Sequence, residues 1–161
     1  MARFKTHYMD KAVFNLPEVI ESCRLALRGV DFDTIVGTGF SGGIVIPALA
    51  LTMNKDFVLI RKETDDSHHG QGMLVGQLGE RWVFVDDFVS SGRTRSRVIE
   101  KIDGALTAGA QPAEMVGQYL YQNEMGFEPY SPTWAPEKPK TETKSSGCTC
   151  SLCTAVREGE L

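Results

Sequence analysis

One stretch decides the fold of this chain: Val83-Phe84-Val85-Asp86-Asp87-Phe88-Val89-Ser90-Ser91-Gly92-Arg93-Thr94. An apolar run typical of a buried strand ends in two adjacent carboxylates, and a turn of small residues then leads into a helix. In open α/β sheets, ligands bind beyond the carboxyl ends of the strands. The pattern therefore predicts a ligand site where this strand ends.

The turn after the two acids has the chemistry of a phosphate site. Ser90, Ser91 and Thr94 offer hydroxyl groups, and Gly92 allows close approach of a ligand to the backbone. The first N–H groups of a helix have no partner within that helix, so they bind anions well. Carboxylates beside a phosphate suit a sugar, because they accept hydrogen bonds from vicinal hydroxyls and hold Mg²⁺ through water. We therefore expect a sugar phosphate here, although a lone Asp-Asp pair would more often simply end a strand.

Outward from this motif, strands and helices alternate. Strands are predicted at 32–36, 57–60, 82–85 and 115–121, and helices at 16–27, 44–53 and 95–108. A glycine-rich turn, 37–43, joins the first strand to the second helix, and residues 63–80 form a long mobile loop or a loose hairpin. Such alternation predicts an α/β fold, with a mainly parallel twisted sheet flanked by helices.

Composition excludes several classes of protein. The 161 residues are 42% hydrophobic, which is typical of a globular chain, and 17 basic residues against 21 acidic ones give a net charge of −4. This charge offers no general attraction to nucleic acid. No apolar run reaches the ~20 residues of a membrane helix, no secretion signal is recognisable, and the cysteines do not form a disulfide framework. We expect a cytoplasmic protein with no nucleic acid or membrane partner.

The stretch 83–94 closely resembles the phosphoribosyl-diphosphate signature of the type I phosphoribosyltransferases. Phe32-Asp33-Thr34-Ile35-Val36-Gly37-Thr38-Gly39-Phe40-Ser41-Gly42-Gly43-Ile44 resembles that family's pyrophosphate-binding turn. Phe57-Val58-Leu59-Ile60-Arg61-Lys62-Glu63 and the loop after it resemble the orotate phosphoribosyltransferase branch. The resemblance implies the fold of that family, with a flexible lid and a small hood. It also implies transfer of 5-phosphoribose from its 1-diphosphate to a nucleobase-like heterocycle, with Mg²⁺ as cofactor and a homodimeric assembly.

The resemblance also implies roles for individual residues. The ribose hydroxyls and the growing positive charge are assigned to Asp86 and Asp87, which would also hold Mg²⁺ through water. The 5′-phosphate is assigned to Ser90, Ser91, Gly92, Arg93 and Thr94. The diphosphate is assigned to Thr38, Gly39, Phe40, Ser41, Gly42, Arg61 and Lys62. A lid over residues 63–79 would bring His69 to the leaving diphosphate.

Two departures from the family pattern leave the accepted base open. The lid lysine usual in the orotate enzymes is absent from Thr64-Asp65-Asp66-Ser67-His68-His69, and the N-terminal base-binding segment is not recognisable in 1–27. The acidic lid favours one alternative, a non-catalytic regulator that binds the same sugar phosphate. The pattern Gly37-x-Gly39-x-x-Gly42, with Glu63 about twenty residues downstream, favours another, a dinucleotide-binding oxidoreductase domain.

The remaining patterns permit two interpretations each. Arg93 contacts the phosphate or faces solvent, and His68-His69 binds a metal or is solvated. The tail motif Cys148-x-Cys150-x-x-Cys153 holds Zn²⁺ or stays free of metal. Phe127, Tyr130 and Trp134 stack on a base or pack onto the sheet. A Gly39-x-Ser41-x-Gly43 nucleophile elbow is excluded, because no histidine follows Asp86.

The composition also divides the chain. We predict an N-terminal segment and helix at 1–30, a phosphoribosyltransferase core at 31–125, a proline-rich extension at 126–147 and a cysteine-containing tail at 148–161. The first and third of these segments are candidates for the hood.

Overall fold

The computed structural model describes residues 15–61, 74–106, 111–123 and 125–135. The elements follow in chain order: α1 (Leu16–Ala26), β1 (Thr34–Thr38), α2 (Gly39–Met53), β2 (Asp56–Ile60), β3 (Leu74–Gly76), β4 (Arg81–Asp86), α3 (Arg93–Ala105), β5 (Glu114–Leu120), β6 (Glu128–Pro129) and a single 3-10 turn (Pro132–Trp134).

These strands form one sheet in the order β3-β2-β1-β4-β5-β6. The four central strands, β2, β1, β4 and β5, run parallel, while β3 and β6 pair antiparallel at the two edges. The predicted α/β class and the mainly parallel sheet are confirmed. The chain leaves β1 toward β2 on one side and leaves β4 toward β5 on the other, so the strand order reverses between β1 and β4. Ligands bind at this kind of switch point in open α/β sheets.

Each face of the sheet carries its own hydrophobic core. On one face, α1 and α2 bury Val19, Cys23 and Leu49 against alternate sheet residues such as Ile35 and Val83. On the other face, α3 buries Val98, Ile99 and Ile102 against Val36, Trp82 and Phe84. Because successive strand side chains point to opposite faces, the continuous apolar run of β4 serves both cores.

The second helix differs from its prediction. It begins at Gly39, not Ile44, so most of the expected glycine-rich turn is the first part of α2. The physical reason is close packing: a Cβ on Gly37 would lie 2.4 Å from Cγ1 of Ile46, and a Cβ on Gly42 would lie 3.3 Å from the carbonyl carbon of Gly37. These glycines let the helix start directly against the strand, and Gly39, at φ +70°, makes the reversal.

Two further segments differ in part from the predictions. Residues 74–76, at the end of the predicted lid, are strand β3, because their backbone pairs with β2 and Leu74 packs on the α3 face. For these residues the hairpin interpretation is confirmed. The proline-rich extension, expected to be irregular, begins with β6 on the edge of β5. In the part of the chain that the structure describes, no helix is long and apolar enough to cross a membrane.

Candidate active site

A cavity of about 230 Å³ opens at the carboxyl ends of β1 and β4, where the strand order reverses. Two segments line it. One is the end of β1 with the first turn of α2, and the other runs from the end of β4 into α3. The lining residues are Thr38, Gly39, Phe40 and Ser41 from the first segment and Asp86, Asp87, Phe88, Val89, Ser90, Ser91, Gly92 and Thr94 from the second.

Two helix N-termini meet at this cavity, and neither is capped by a side chain. The hydroxyl of Thr38, the N-cap of α2, donates instead to the carbonyl of Ile60 at 2.7 Å. Gly92, the N-cap of α3, has no side chain and adopts φ +75°. The first turns of both helices also lack acidic residues. Free N–H groups and the positive end of each helix dipole therefore favour two separate anionic groups here.

Between the two N-termini stand the adjacent acids of the motif. Asp86 ends β4 and is 6% exposed, and its Oδ1 accepts the backbone N–H of Asp87 at 3.0 Å. Asp87 is half-buried, and its Oδ1 accepts the N–H of Phe88 at 2.7 Å. Both backbone carbonyls accept bonds from the chain after β5, from the N–H groups of Tyr121 and Gln122. The carboxylates are thus held by a rigid strand end.

Below the carboxylates lies a buried phenol. The Tyr121 ring packs in the core with Cys23, and its buried hydroxyl lies beside Ser41. Burial raises the pKa of Tyr121 above its ordinary value of 10.0, and the carboxylates of Asp87 and Asp86 raise it further. Tyr121 is therefore neutral, and the negative charge of the site comes from the two carboxylates.

The cavity brings together most of the predicted site residues. Gly42 does not line it, because it packs on β1. Arg93, at the first position of α3, is exposed, and neither it nor Arg61, which follows β2, lines the cavity. Lys62 and His69 lie outside the described residues. The same is true of most of the predicted lid, including His68, and of the cysteine motif at 148–153.

Two lining residues were not assigned a role from sequence. Phe88 and Val89 form the wall after the acids, and Phe88 is 52% exposed. Phe40, which was expected to face the diphosphate, is 70% exposed at the opposite wall. Large apolar side chains immediately after a charged strand end are a weak sequence signal for a binding wall, because in most proteins such residues are simply buried.

The sequence has curated relatives. It is 32% identical over 93 residues to the orotate phosphoribosyltransferase of Ralstonia pickettii, an alignment covering 55% of this chain and 40% of that protein. It is also 32% identical over 111 residues to the adenine phosphoribosyltransferase of Bifidobacterium longum subsp. infantis, covering 58% and 57%. The chain thus spans about half the length of the curated relatives it matches. No protein-family model matches it.

The fold is similar to a solved structure as well. The UMP synthase of Leishmania donovani superposes with a TM-score of 0.54 at 22% identity, over 73% of this chain and 27% of that one. At that identity the match shows the fold alone.

Proposed function

Sequence and fold relate this chain to the type I phosphoribosyltransferases, and from that premise we propose that it transfers 5-phosphoribose from the 1-diphosphate to a nitrogen of a nucleobase-like heterocycle, releasing diphosphate. One observation carries the proposal. Two uncapped helix N-termini flank a pair of carboxylates in a single cavity. A phosphorylated sugar diphosphate has a matching order of groups, with an anion at each end and hydroxyls between.

Each part of the cavity then has a task. The α3 side, Ser90 to Thr94, binds the 5′-phosphate with hydroxyl and backbone N–H groups, and the α2 side, Thr38 to Ser41, binds the diphosphate. Asp86 and Asp87 accept hydrogen bonds from the ribose hydroxyls. As the bond to diphosphate lengthens, positive charge grows on the ribose ring, and the fixed carboxylates stabilise it without reorganising.

The two carboxylates also suit Mg²⁺, which binds through one or two protein carboxylates together with substrate phosphates. Among the described residues no cluster of three or more potential ligands is found, so Asp86 and Asp87 are the protein groups there that would hold the metal. When bound, Mg²⁺ neutralises the charge of the leaving diphosphate. The chain's own residues position the sugar and its two anionic ends.

The acceptor class follows from the walls of the cavity. Phe40 and Phe88 expose phenyl faces to the site, and a planar heterocycle stacks favourably on such faces. The relatives named above act on orotate and adenine, so a pyrimidine or a purine is the first choice. A homodimer remains a prediction from the resemblance, and the cytoplasmic location and the domain boundaries remain predictions from the composition of the sequence.

An assay of nucleotide and diphosphate formation tests the proposal. The protein is incubated with 5-phosphoribosyl 1-diphosphate, Mg²⁺ and a panel of pyrimidines, purines and pyridine carboxylates or amides. We expect equal amounts of one nucleotide and diphosphate with at least one base. Tight binding of the sugar diphosphate with no nucleotide from any base would instead identify a regulator, and binding of NAD(P)⁺ alone an oxidoreductase domain. The comparisons favour neither alternative.

A further inference from the structure

The first turn of α3 contains a second arginine, Arg95, that faces inward. Its Nη1 donates to Oε1 of Gln118 on β5 at 3.1 Å, and its guanidinium carbon lies 4.1 Å from the centre of the Trp134 ring. A cation over an indole face is an attractive arrangement. The guanidinium is therefore fixed by two elements that follow α3 in the chain.

This cluster also ties the extension to the site. Nε2 of Gln118, which is 2% exposed, donates to Oε2 of Glu128 on β6 at 2.5 Å. The hydroxyl of Ser96 donates to the carbonyl of Trp134 at 2.9 Å. The ring of Tyr130 meets that of Trp134 edge to face, with centroids 6.0 Å apart. Segment 128–134 thus contacts the arginine directly through Trp134 and indirectly through Glu128 and Gln118.

The other side of the guanidinium reaches the phosphate turn. A Cβ built on Gly92 would lie 3.5 Å from Nη2 of Arg95. Gly92 is the N-cap of α3 and lines the cavity, so the arginine lies directly behind the turn that presents N–H groups to the ligand. The exposed Arg93, for which the sequence left a phosphate contact and a solvent-facing position equally open, does not line the cavity.

The charge of Arg95 is only partly compensated. Among the described residues no carboxylate pairs with it directly, because Gln118 stands between it and Glu128. Its Nε is buried and has no hydrogen-bond partner there. Burial lowers the pKa of Arg95 and the Glu128 carboxylate opposes that shift, but an arginine stays charged in a protein. Partly desolvated charge of this kind is costly unless an opposite charge approaches.

We propose that Arg95 is a positioning residue for the 5′-phosphate: held by Gln118 and Trp134 behind Gly92, it supplies the positive charge that complements the N-terminus of α3. The inference rests on the proposed function, since it needs a phosphate monoester in the Ser90–Thr94 turn. Through Glu128 and Trp134, it also makes the segment after residue 125 part of the substrate site.

The experiment compares two ligands in one cavity, ribose 5-phosphate for the α3 side and inorganic diphosphate for the α2 side, by calorimetry at fixed ionic strength. Arg95→Met is expected to weaken ribose 5-phosphate binding about tenfold, which is about 1.4 kcal/mol, and to leave diphosphate binding unchanged. Arg95→Lys, which keeps the charge, should restore part of the loss. The control is Arg97→Met, an exposed arginine of the same helix, which should change neither affinity.

A second variant does not depend on replacing the arginine. Glu128→Gln keeps an acceptor for Gln118 but removes the negative charge, so ribose 5-phosphate should bind about two- to threefold tighter by simple Coulomb attraction. Glu114→Gln, at the far end of β5, is its control and should have no effect.

The outcomes separate the two proposals. If Arg95→Met weakens both ligands equally, or neither, or if Glu128→Gln does not tighten ribose 5-phosphate binding, the role of Arg95 is wrong while the proposed function stands. If the unaltered protein binds neither ligand, the proposed function itself falls, and this role falls with it.

Discussion

The backbone N–H of Asp87 donates to Oδ1 of Asp86 at 3.0 Å, and this bond separates the environments of two adjacent carboxylates. Asp86 turns back to satisfy a backbone donor and is 6% exposed. Asp87 is half-buried and accepts the N–H of the exposed residue Phe88. Both residues are aspartates, but because their environments differ, their substitutions should have different consequences.

Asp87→Asn should lower turnover about 100-fold while the protein folds normally, because the variant loses a preorganised charge and keeps its shape. The measurement is diphosphate release from 5-phosphoribosyl 1-diphosphate in the presence of the accepted base. Asp103→Asn, an exposed acid on α3, is the matched control and should have full activity. Near-normal diphosphate release by Asp87→Asn would refute the assignment.

Replacing Asp86 or Asp87 by alanine should change the free energy of unfolding by different amounts. Asp86→Ala leaves the part-buried N–H of Asp87 without its partner, which costs about 1–3 kcal/mol. In Asp87→Ala the N–H of Phe88 is exposed enough to bond water, so the free energy of unfolding should change little. Urea unfolding at pH 7 measures both. Equal losses for the two variants would contradict the environments described above.

Gly37→Ala should destabilise the protein by about 1–3 kcal/mol, the usual cost of overpacking. Its Cβ would lie 2.4 Å from Cγ1 and 2.8 Å from Cδ1 of Ile46, a fully buried side chain, and 3.3 Å from the carbonyl oxygen of Val85 on β4. Gly43→Ala in the same segment is the control, because nothing lies within 4 Å of its Cβ. Alanine favours a helix, so that variant should be neutral or up to about 1 kcal/mol more stable.

If both glycine variants were equally stable in thermal unfolding, the close contact between α2 and β1 would not exist as described. The comparison also separates two interpretations of the glycine-rich segment. A segment needed only for backbone freedom around a ligand would tolerate alanine at Gly37 in the unliganded protein, whereas a packing contact would not.

The sequence predicted the sheet well, and it correctly placed Asp86 and Asp87 at a strand end beside a cavity. The physical reason is local. Strand β4, the acids and the turn before α3 are contiguous, so their chemistry is readable in twelve residues. The start of α2 was missed because glycine is a poor helix former, and only the contact between Gly37 and Ile46 shows why glycine is needed there. Arg95 was missed because its partners, Gln118 and Trp134, are 23 and 39 positions away.

Stability should fall steeply in alkali. Burial raises the pKa of the Cys23 thiol from 9.0 to about 12 and also raises that of Tyr121 above 10.0. Both groups are neutral when protonated, so above pH 9 the unfolded chain loses protons that the folded one keeps. The stabilisation is complete below about pH 9 and is lost as the pH rises toward the folded values, by at most about 1.4 kcal/mol per pH unit and group.

Urea unfolding between pH 7 and pH 11 measures this slope. Tyr121→Phe should flatten this slope above pH 10, because the variant has no phenol that titrates at this position. Tyr130→Phe, at a more exposed tyrosine, should leave the slope as it was. The assignment to Tyr121 fails if the two variants lose stability in parallel with the unaltered protein.

Phe88 should affect binding of the acceptor base and not binding of the sugar diphosphate. Its ring is 52% exposed on the wall of the cavity, one residue beyond the acids, so truncation removes a stacking face without opening the core. We expect Phe88→Ser to raise KM for the accepted base about tenfold, in line with the ~1–3 kcal/mol of a base stacked on an aromatic ring. KM for 5-phosphoribosyl 1-diphosphate should stay within twofold. Leu51→Ser, at an 85% exposed position on α2 far from the cavity, is the control. A rise in both KM values would mean that Phe88 shapes the turn around the sugar and that the base stacks elsewhere.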